Sequence, residues 1–143
     1  LPKSREKWIL ALLHALGRIS GSTRLVKLLF LLGKEGKVQG PFYEFEWYKY
    51  GPYSREIIHD AHELEHLGLI KIEEEILEEA GGVLDDYKTR FNYELTDIGS
   101  KVARAIFEEL PQEAKMSILS LQKYNKESLD SLLNYVHSKY QPK

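Results

Sequence analysis

Residues 25–32 form the segment that most restricts how this chain folds. They read Leu-Val-Lys-Leu-Leu-Phe-Leu-Leu, with glycines close behind at positions 33 and 36. A helix that is apolar on most sides cannot leave a broad face in water, so we expect it to be buried at the centre of the fold. Glycine favours the end of a helix, so this one is expected to stop there. The 143 residues are enough for one domain with a substantial core around it.

The apolar pattern on both sides of this segment predicts more helices and a β-hairpin. Residues 70–76 and 87–95 alternate with a period of two on either side of a Gly-Gly pair, which indicates an antiparallel hairpin. Residues 45–50 also alternate, and the Gly51-Pro52 pair is expected to form a turn after them. Elsewhere, apolar residues recur at helical spacing. The predicted helices cover residues 5–16, 22–33, 54–67, 96–109, 111–124 and 126–140.

The order of these elements is helix, short segment at 18–20, helix, helix and hairpin, which is the order of a winged helix-turn-helix domain. We therefore expect a mainly α fold with a small antiparallel β-hairpin. Residues 1–143 form a single domain in this interpretation. Residues 1–95 are its winged-helix core, with an aromatic insert at 36–53, and residues 96–143 are a helical extension. The apolar stripes of the extension exceed what one such core needs, which predicts a homodimer through the C-terminal helices.

Several motifs along the chain have the form of a known family. The most distinctive is Tyr-Gly-Pro-Tyr-Ser at 50–54. The others are Arg-Leu-Val-Lys-Leu-Leu-Phe-Leu-Leu at 24–32, Leu-Glu-His-Leu-Gly-Leu-Ile at 64–70, Tyr-Glu-Leu-Thr-Asp-Ile-Gly at 93–99 and Leu-Leu-Asn-Tyr-Val-His-Ser-Lys-Tyr at 132–140. Together they resemble the YwgA-like family of small prokaryotic proteins and, more distantly, the Panacea (SocA-like) antitoxin domain. The resemblance implies a winged-helix fold, but a fold does not fix a function.

Charge and composition narrow the classes of protein to consider. Residues 1–40 carry a net charge of +6, residues 41–95 carry −9 and residues 96–143 carry +1. There is no cysteine, which excludes disulfides and thiolate metal sites and suits the cytoplasm. The apolar runs are too short to cross a bilayer, so no membrane association is expected. Since no phosphate-binding loop or nucleophile motif is present, we expect neither an enzyme nor a cofactor.

The predicted fold favours a DNA-binding transcriptional regulator. In a winged helix the third helix enters the major groove, and its first residues contact base edges. Side chains on the outer face of residues 54–67 are candidates for base and phosphate contacts, and basic residues of the hairpin and the second helix are candidates for backbone contacts. The predicted double-stranded DNA contacts are Arg24, Lys27, Ser54, Arg55, His59, His62, Lys88 and Arg90.

The same region also predicts an alternative, a protein-interaction adaptor or antitoxin-like module. The third helix carries four acidic residues against one arginine, and phosphate repels such a surface. Lys88 and Arg90 can instead pair across the hairpin with Glu73 and Glu75. An acidic surface beside clustered aromatic residues suits a protein partner, although about half of the aromatic residues are expected to cover the core. The predicted partner-binding residues are Trp47, Tyr48, Tyr50 and Tyr53.

The segment His62-Glu-Leu-Glu-His66 matches the zinc-peptidase helix motif, with His59 one turn earlier. Imidazoles four residues apart share a helical face, and Glu63 or Glu65 is placed to activate a zinc-bound water. A catalytic zinc, however, needs three protein ligands in a cleft, and no clear third ligand follows in the sequence. We therefore expect no metallopeptidase. A zinc-binding role for His59, His62 and His66 is kept as a minor alternative.

Overall fold

The computed structural model describes residues 4–77 and 89–142 of the chain. It is mainly helical with two small antiparallel sheets, which confirms the predicted fold class. Residues 78–88, which include the predicted DNA contact Lys88, lie outside the described residues. The helices are α1 (Lys7–Leu16), α2 (Ser22–Glu35), α3 (Arg55–His66), α4 (Asp97–Glu109), α5 (Gln112–Leu119), α6 (Gln122–Lys126) and α7 (Leu129–Tyr140). The strands are β1 (Arg18–Ser20), β2 (Glu46–Tyr48), β3 (Gly51–Tyr53), β4 (Ile70–Ile76) and β5 (Thr89–Leu95).

Helix α2 lies at the centre of the core, as its apolar sequence predicts. Every residue from Arg24 to Leu32 is buried. Helix α1 is equally enclosed. Its sequence pattern predicts a buried stripe on one side, but all six residues from Trp8 to Leu13 are buried. The reason is that α4, α5 and α6 pack against α1 on the sides that the sheet leaves open. The predicted extension and the predicted core therefore contribute to one hydrophobic cluster.

The first sheet has the strand order β1-β5-β4. Tyr93 of β5 lies opposite Ile19 of β1 and Ile72 of β4, and this end of the sheet faces the core. The predicted hairpin is confirmed, and β1 adds a strand that the sequence showed only as a short segment. Phe91 does not point into the core as its alternation predicts, since it is 36% exposed, and Ile76 on the same face is 68% exposed. The hairpin thus extends beyond the helices that cover its base.

The C-terminal part differs from its prediction in two places. The helix expected over 111–124 is divided into α5 and α6, and α7 starts after Ser128, whose Oγ accepts a hydrogen bond from Ser131 N. The stripe of α7, with Leu132 and Val136 fully buried, packs against α2 and β3. The stripe that predicted a dimer surface is therefore used inside the chain, and the homodimer stays a prediction. No helix in the described ranges is long and apolar enough to span a membrane.

The aromatic insert folds over α2 and ends in the second sheet, which pairs β2 with β3. The Trp8 indole Nε1 donates to the carbonyl of Pro41 over 3.2 Å, which fixes the start of the insert on α1. The turn lies at residues 49–50, two positions before the expected Gly51-Pro52 pair, which belongs to β3. Gly51 has a φ of +106°, a conformation that side-chain-bearing residues rarely adopt. The insert thereby reaches the start of α3.

Candidate functional site

The β2–β3 hairpin presents three of the four predicted partner-binding aromatic residues to solvent. Tyr48, Tyr50 and Tyr53 are 54%, 74% and 40% exposed. The rings of Tyr48 and Tyr53 are close neighbours, with centroids 6.2 Å apart. Trp47 differs, because its half-buried indole packs edge-on against Phe30 of α2 at 5.9 Å. The hairpin thus places tyrosines on its outer side and an indole towards the core.

Carboxylates surround these tyrosines. Two adjoining depressions of about 320 and 290 Å³ are both lined by Glu44, Glu46 and Glu56, and we call the two together the acidic groove. The Tyr48 hydroxyl donates to Glu46 Oε2 over 2.8 Å. This hydrogen bond raises the pKa of the exposed Tyr48 phenol, because losing its proton beside a carboxylate is unfavourable. Arg5, which is paired with Asp60, lines the first depression and Arg55 lines the second, so the groove combines three carboxylates and aromatic surface with one arginine that forms no ion pair with a described residue.

Hydrogen bonds to the buried carboxylate of Asp60 fix the two sides of the acidic groove relative to each other. Asp60 of α3 is fully buried and accepts hydrogen bonds from Arg5 Nε at 2.7 Å and from the Tyr43 hydroxyl at 2.8 Å. Burial, and then the hydrogen bond to Asp60, raise the pKa of Tyr43 far above its ordinary value. Tyr43 precedes Glu44, and Asp60 lies one turn after Glu56. The Tyr43–Asp60 hydrogen bond therefore joins the insert to α3. The sequence pattern placed Asp60 among the outward acidic residues, which is wrong.

A buried lysine supports the hairpin from beneath. Lys27 of α2 is 4% exposed, and its Nζ donates to the carbonyl of Pro52 over 2.8 Å. Burial lowers the pKa of Lys27 to about 8, because the charged form has lost most of its water. A Cβ on Gly51 would lie 3.0 Å from His137 Nε2 and 3.5 Å from Lys27 Cε. Glycine therefore suits this position by its backbone angle, and a side chain there would press on the His137 ring.

Burial corrects three of the predicted DNA contacts. Arg24 and Lys27 lie on the enclosed helix α2 and not on a surface that a phosphate can reach. Arg24 donates through Nη1 to the carbonyl of Tyr124 at 2.9 Å, and burial lowers its pKa. Ser54 is 3% exposed, and its hydroxyl donates to Glu56 Oε2 over 3.2 Å. These polar groups are held within the fold.

The hairpin arginine is exposed but paired. Arg90 Nη2 lies 2.7 Å from Glu75 Oε2 across the hairpin, as the alternative interpretation predicted. Asn92 donates to the other oxygen of Glu75 at 3.0 Å, and hydrogen bonds from Asn92 and then Arg90 lower the pKa of Glu75. Glu73 pairs with Lys71 at 2.8 Å, whereas it was expected to pair on the hairpin with Lys88 or Arg90. Arg90 is thus neutralised where DNA contact was predicted.

The outer face of α3 carries the remaining predicted DNA and metal residues. Arg55, His59, His62 and His66 are all exposed. His59 lies 3.7 Å from Glu63, and His62 lies 3.6 Å from Glu65. Within residues 4–77 and 89–142, no three His, Cys, Asp or Glu side chains converge as metal ligands would. The helix face is acidic, because its exposed and half-exposed carboxylates outnumber Arg55.

The sequence interpretation missed Glu44 and Glu46 as site residues, together with a neighbouring cavity. That cavity has a volume of about 710 Å³ and lies between the insert, α2 and the end of α7. The available signal was the alternation in residues 44–48, which puts glutamates on one side of the strand and aromatic residues on the other. The aromatic cavity, as we call it, is lined by the side chains of Phe30, Lys34, Phe42, Tyr43, Glu44, Phe45, Trp47, Tyr140 and Pro142, and by Gly33.

Comparison with known proteins gives one informative similarity. Over 85 residues the chain is 35% identical to the uncharacterized protein YwgA of Bacillus subtilis (strain 168). The match covers 59% of this chain and 45% of YwgA, so the chain spans less than half of that relative's length. No family model matches the chain, and no solved structure matches it. The comparison therefore supports the similarity to the YwgA-like family over this region and carries no activity with it.

Proposed function

We propose that this chain is a protein-interaction module that binds a basic segment of a partner protein in its acidic groove. The order α1, β1, α2, α3, β4, β5 supports a winged-helix core, with the insert added before α3. In this proposal the core acts as a scaffold and the insert supplies the binding surface. An adaptor or an antitoxin-like protein uses a domain in this way.

The observation that carries the proposal is the distribution of charge between surface and interior. Of the predicted cationic contacts, Arg24 and Lys27 are buried and Arg90 is paired, whereas Glu44, Glu46 and Glu56 line an open groove. A lysine- or arginine-rich segment complements such a surface, and charge complementarity increases both the association rate and the selectivity. Tyrosine adds large, rigid contact area and accepts arginine stacking.

DNA-binding transcriptional regulation is the second candidate. It is favoured by one observation, the exposed Arg55 in the first turn of α3, which is the position that reads bases in winged-helix proteins. Against it stands the acidic groove itself, since Arg55 lines the same depression as Glu44, Glu46 and Glu56. Loss of duplex binding in Arg55→Ala, with a steep dependence on salt, is the result that this candidate requires.

The test is the affinity for a short peptide of alternating lysine, arginine and serine, measured by fluorescence anisotropy. We expect binding at low ionic strength that weakens about tenfold when Glu44, Glu46 and Glu56 are all changed to Gln, because three exposed ion pairs contribute about 0.2–1 kcal/mol each. The matched control changes the exposed Glu108, Glu109 and Glu113 to Gln. It alters the net charge equally but lies on α4 and α5 and not in the groove.

Two results would contradict the proposal. Absence of peptide binding at low ionic strength would refute it directly. An equal loss of affinity in both triple variants would show that the peptide responds to net charge alone, without a specific groove. The variants change surface carboxylates to amides of the same shape, so their folding is expected to match that of the wild type.

A further inference from the structure

The aromatic cavity beside the acidic groove has walls made of rings that contact one another edge to face. Phe30 is the hub, with ring centroids at 5.3 Å from Phe45, 5.9 Å from Trp47 and 5.6 Å from Tyr140. Phe42, Phe45, Trp47 and Tyr140 are partly exposed along this volume, whereas Phe30 itself is only 2% exposed. At about 710 Å³ the space is within the range of ligand-binding pockets and exceeds the size of a single side chain.

The cavity and the acidic groove are continuous along the insert. The cavity shares Phe42, Phe45 and Glu44 with the first acidic depression, and that depression shares Glu44, Glu46 and Glu56 with the second. A bound chain that runs along residues 42–48 therefore meets aromatic walls first and carboxylates next.

We infer that the aromatic cavity takes one apolar anchor side chain, aromatic or aliphatic, from the same basic partner segment. The inference rests on the proposed function and specifies the partner as a segment with an apolar residue next to lysines or arginines. Two observations support this occupant over others: the groove that leads from the cavity is acidic, and the cavity shares Glu44 with it. An apolar anchor in a pocket with a charged rim is the usual form of an interface hot spot.

The charged residues at the cavity favour an uncharged side chain as its occupant. Lys34 Nζ lies 5.7 Å from the Phe30 ring centroid, so a cation of the chain itself already occupies that ring face. A second cation would be repelled by Lys34 and attracted only by Glu44, the carboxylate that the cavity shares with the groove, whereas an uncharged side chain meets no repulsion. The basic residues of the partner are thereby directed to Glu44, Glu46 and Glu56 and away from the rings.

The test compares two peptides that differ at one position. Each has lysine and arginine on both sides of a central residue, which is phenylalanine in one peptide and serine in the other. We expect the phenylalanine peptide to bind about 10- to 100-fold more tightly, from the burial of one aromatic side chain. Phe45→Ala should reduce this preference, whereas Phe107→Ala should keep it, because Phe107 packs on His14 away from the cavity.

A fluorescence readout locates the anchor even if Phe45→Ala does not fold. The chain has two tryptophans, of which Trp47 lines the cavity and Trp8 is 1% exposed. A peptide with 4-bromophenylalanine as its central residue should quench Trp47 through the heavy-atom effect. The quenching should largely disappear in Trp47→Phe, with the two proteins compared at peptide concentrations at which anisotropy shows both to be saturated.

The outcomes separate this inference from the proposed function. If both peptides bind with equal affinity and both weaken in the Glu44, Glu46 and Glu56 triple variant, the anchor inference is wrong and the proposed function stands. If neither peptide binds, both are wrong. Quenching by free 4-bromophenylalanine amide as strong as by the peptide would assign the cavity to a small molecule. Self-association that Phe45→Ala abolishes would assign it to a second copy of the chain. Either result overturns the inference.

Discussion

Lys27→Met tests the assignment of Lys27 as a buried structural cation. In the native state its Nζ has one hydrogen bond, to the carbonyl of Pro52, and only 4% of the residue is exposed. Its pKa is lowered from 10.5 to about 8 by burial. At about 1.4 kcal/mol per pH unit, the charged lysine destabilises the fold by about 3 kcal/mol at pH 7 relative to its neutral form.

The sign of the pH dependence follows from which state holds more protons. Between pH 8 and 10.5 the unfolded chain keeps the Lys27 proton and the native state releases it. The free energy of unfolding therefore rises with pH across this window, and the unfavourable contribution is fully present only below pH 8. Methionine has a similar length and no charge, so it removes this dependence. It also leaves the Pro52 carbonyl without its donor, which costs about 1 kcal/mol at every pH.

The assay is urea unfolding of wild type and Lys27→Met between pH 7 and pH 10. The difference between their free energies of unfolding should change by about 2.5 kcal/mol over this range, with the variant relatively more stable at pH 7. Lys37→Met, at an exposed position, reports the effect of deleting a lysine from the surface. A difference in the free energy of unfolding that does not change with pH would refute the reasoning. It would show that Lys27 is solvated, as the predicted DNA contact requires.

Three further predictions concern two residues that stabilise the fold, Tyr43 and Gly99, and the zinc content of the protein. Tyr43→Phe should destabilise the fold by about 1–3 kcal/mol in urea unfolding, because buried Asp60 loses a donor; an effect no larger than that of Tyr50→Phe at an exposed position would contradict this. Gly99→Ala should cost about 3 kcal/mol or more, because the new Cβ would lie 1.7 Å from the Leu69 carbonyl oxygen; a wild-type melting temperature would count against it. Protein purified without an affinity tag should hold far less than one equivalent of zinc by elemental analysis, and a stoichiometric amount would restore the histidine site.

Much of the fold was predictable because it depends on local patterns. The enclosed helix α2 follows from an apolar sequence on most sides, and the hairpin follows from alternation. The helix predicted over 96–109 forms as α4, and Thr96 Oγ1 caps it by accepting a hydrogen bond from Gly99 N at 2.9 Å. These features need only neighbours in the sequence. The division of the predicted 111–124 helix into α5 and α6 depends on packing against α1 and α2, so the sequence pattern missed it.

The candidate site was predicted only in part. The exposed tyrosines of the hairpin were identified, but the DNA residues Arg24 and Lys27 were placed on the surface although α2 was expected to be buried. A helix that is apolar on all sides also buries its few polar residues, so the burial of Arg24 and Lys27 was predictable from the sequence. The sequence does not show that Glu44 and Glu46 lie beside Glu56, because this arrangement depends on the Tyr43–Asp60 hydrogen bond between distant segments.

The most direct test of the central proposal is a side-by-side titration of the wild-type protein with the basic peptide that has a central phenylalanine and with a fluorescent DNA duplex. Both are measured by anisotropy at the same low ionic strength. The acidic groove predicts saturable binding of the peptide, weakened about tenfold in the Glu44, Glu46 and Glu56 triple glutamine variant, and no binding of the duplex. Tight binding of the duplex that Arg55→Ala abolishes, together with no binding of the peptide, would contradict the proposal and favour the DNA-binding regulator.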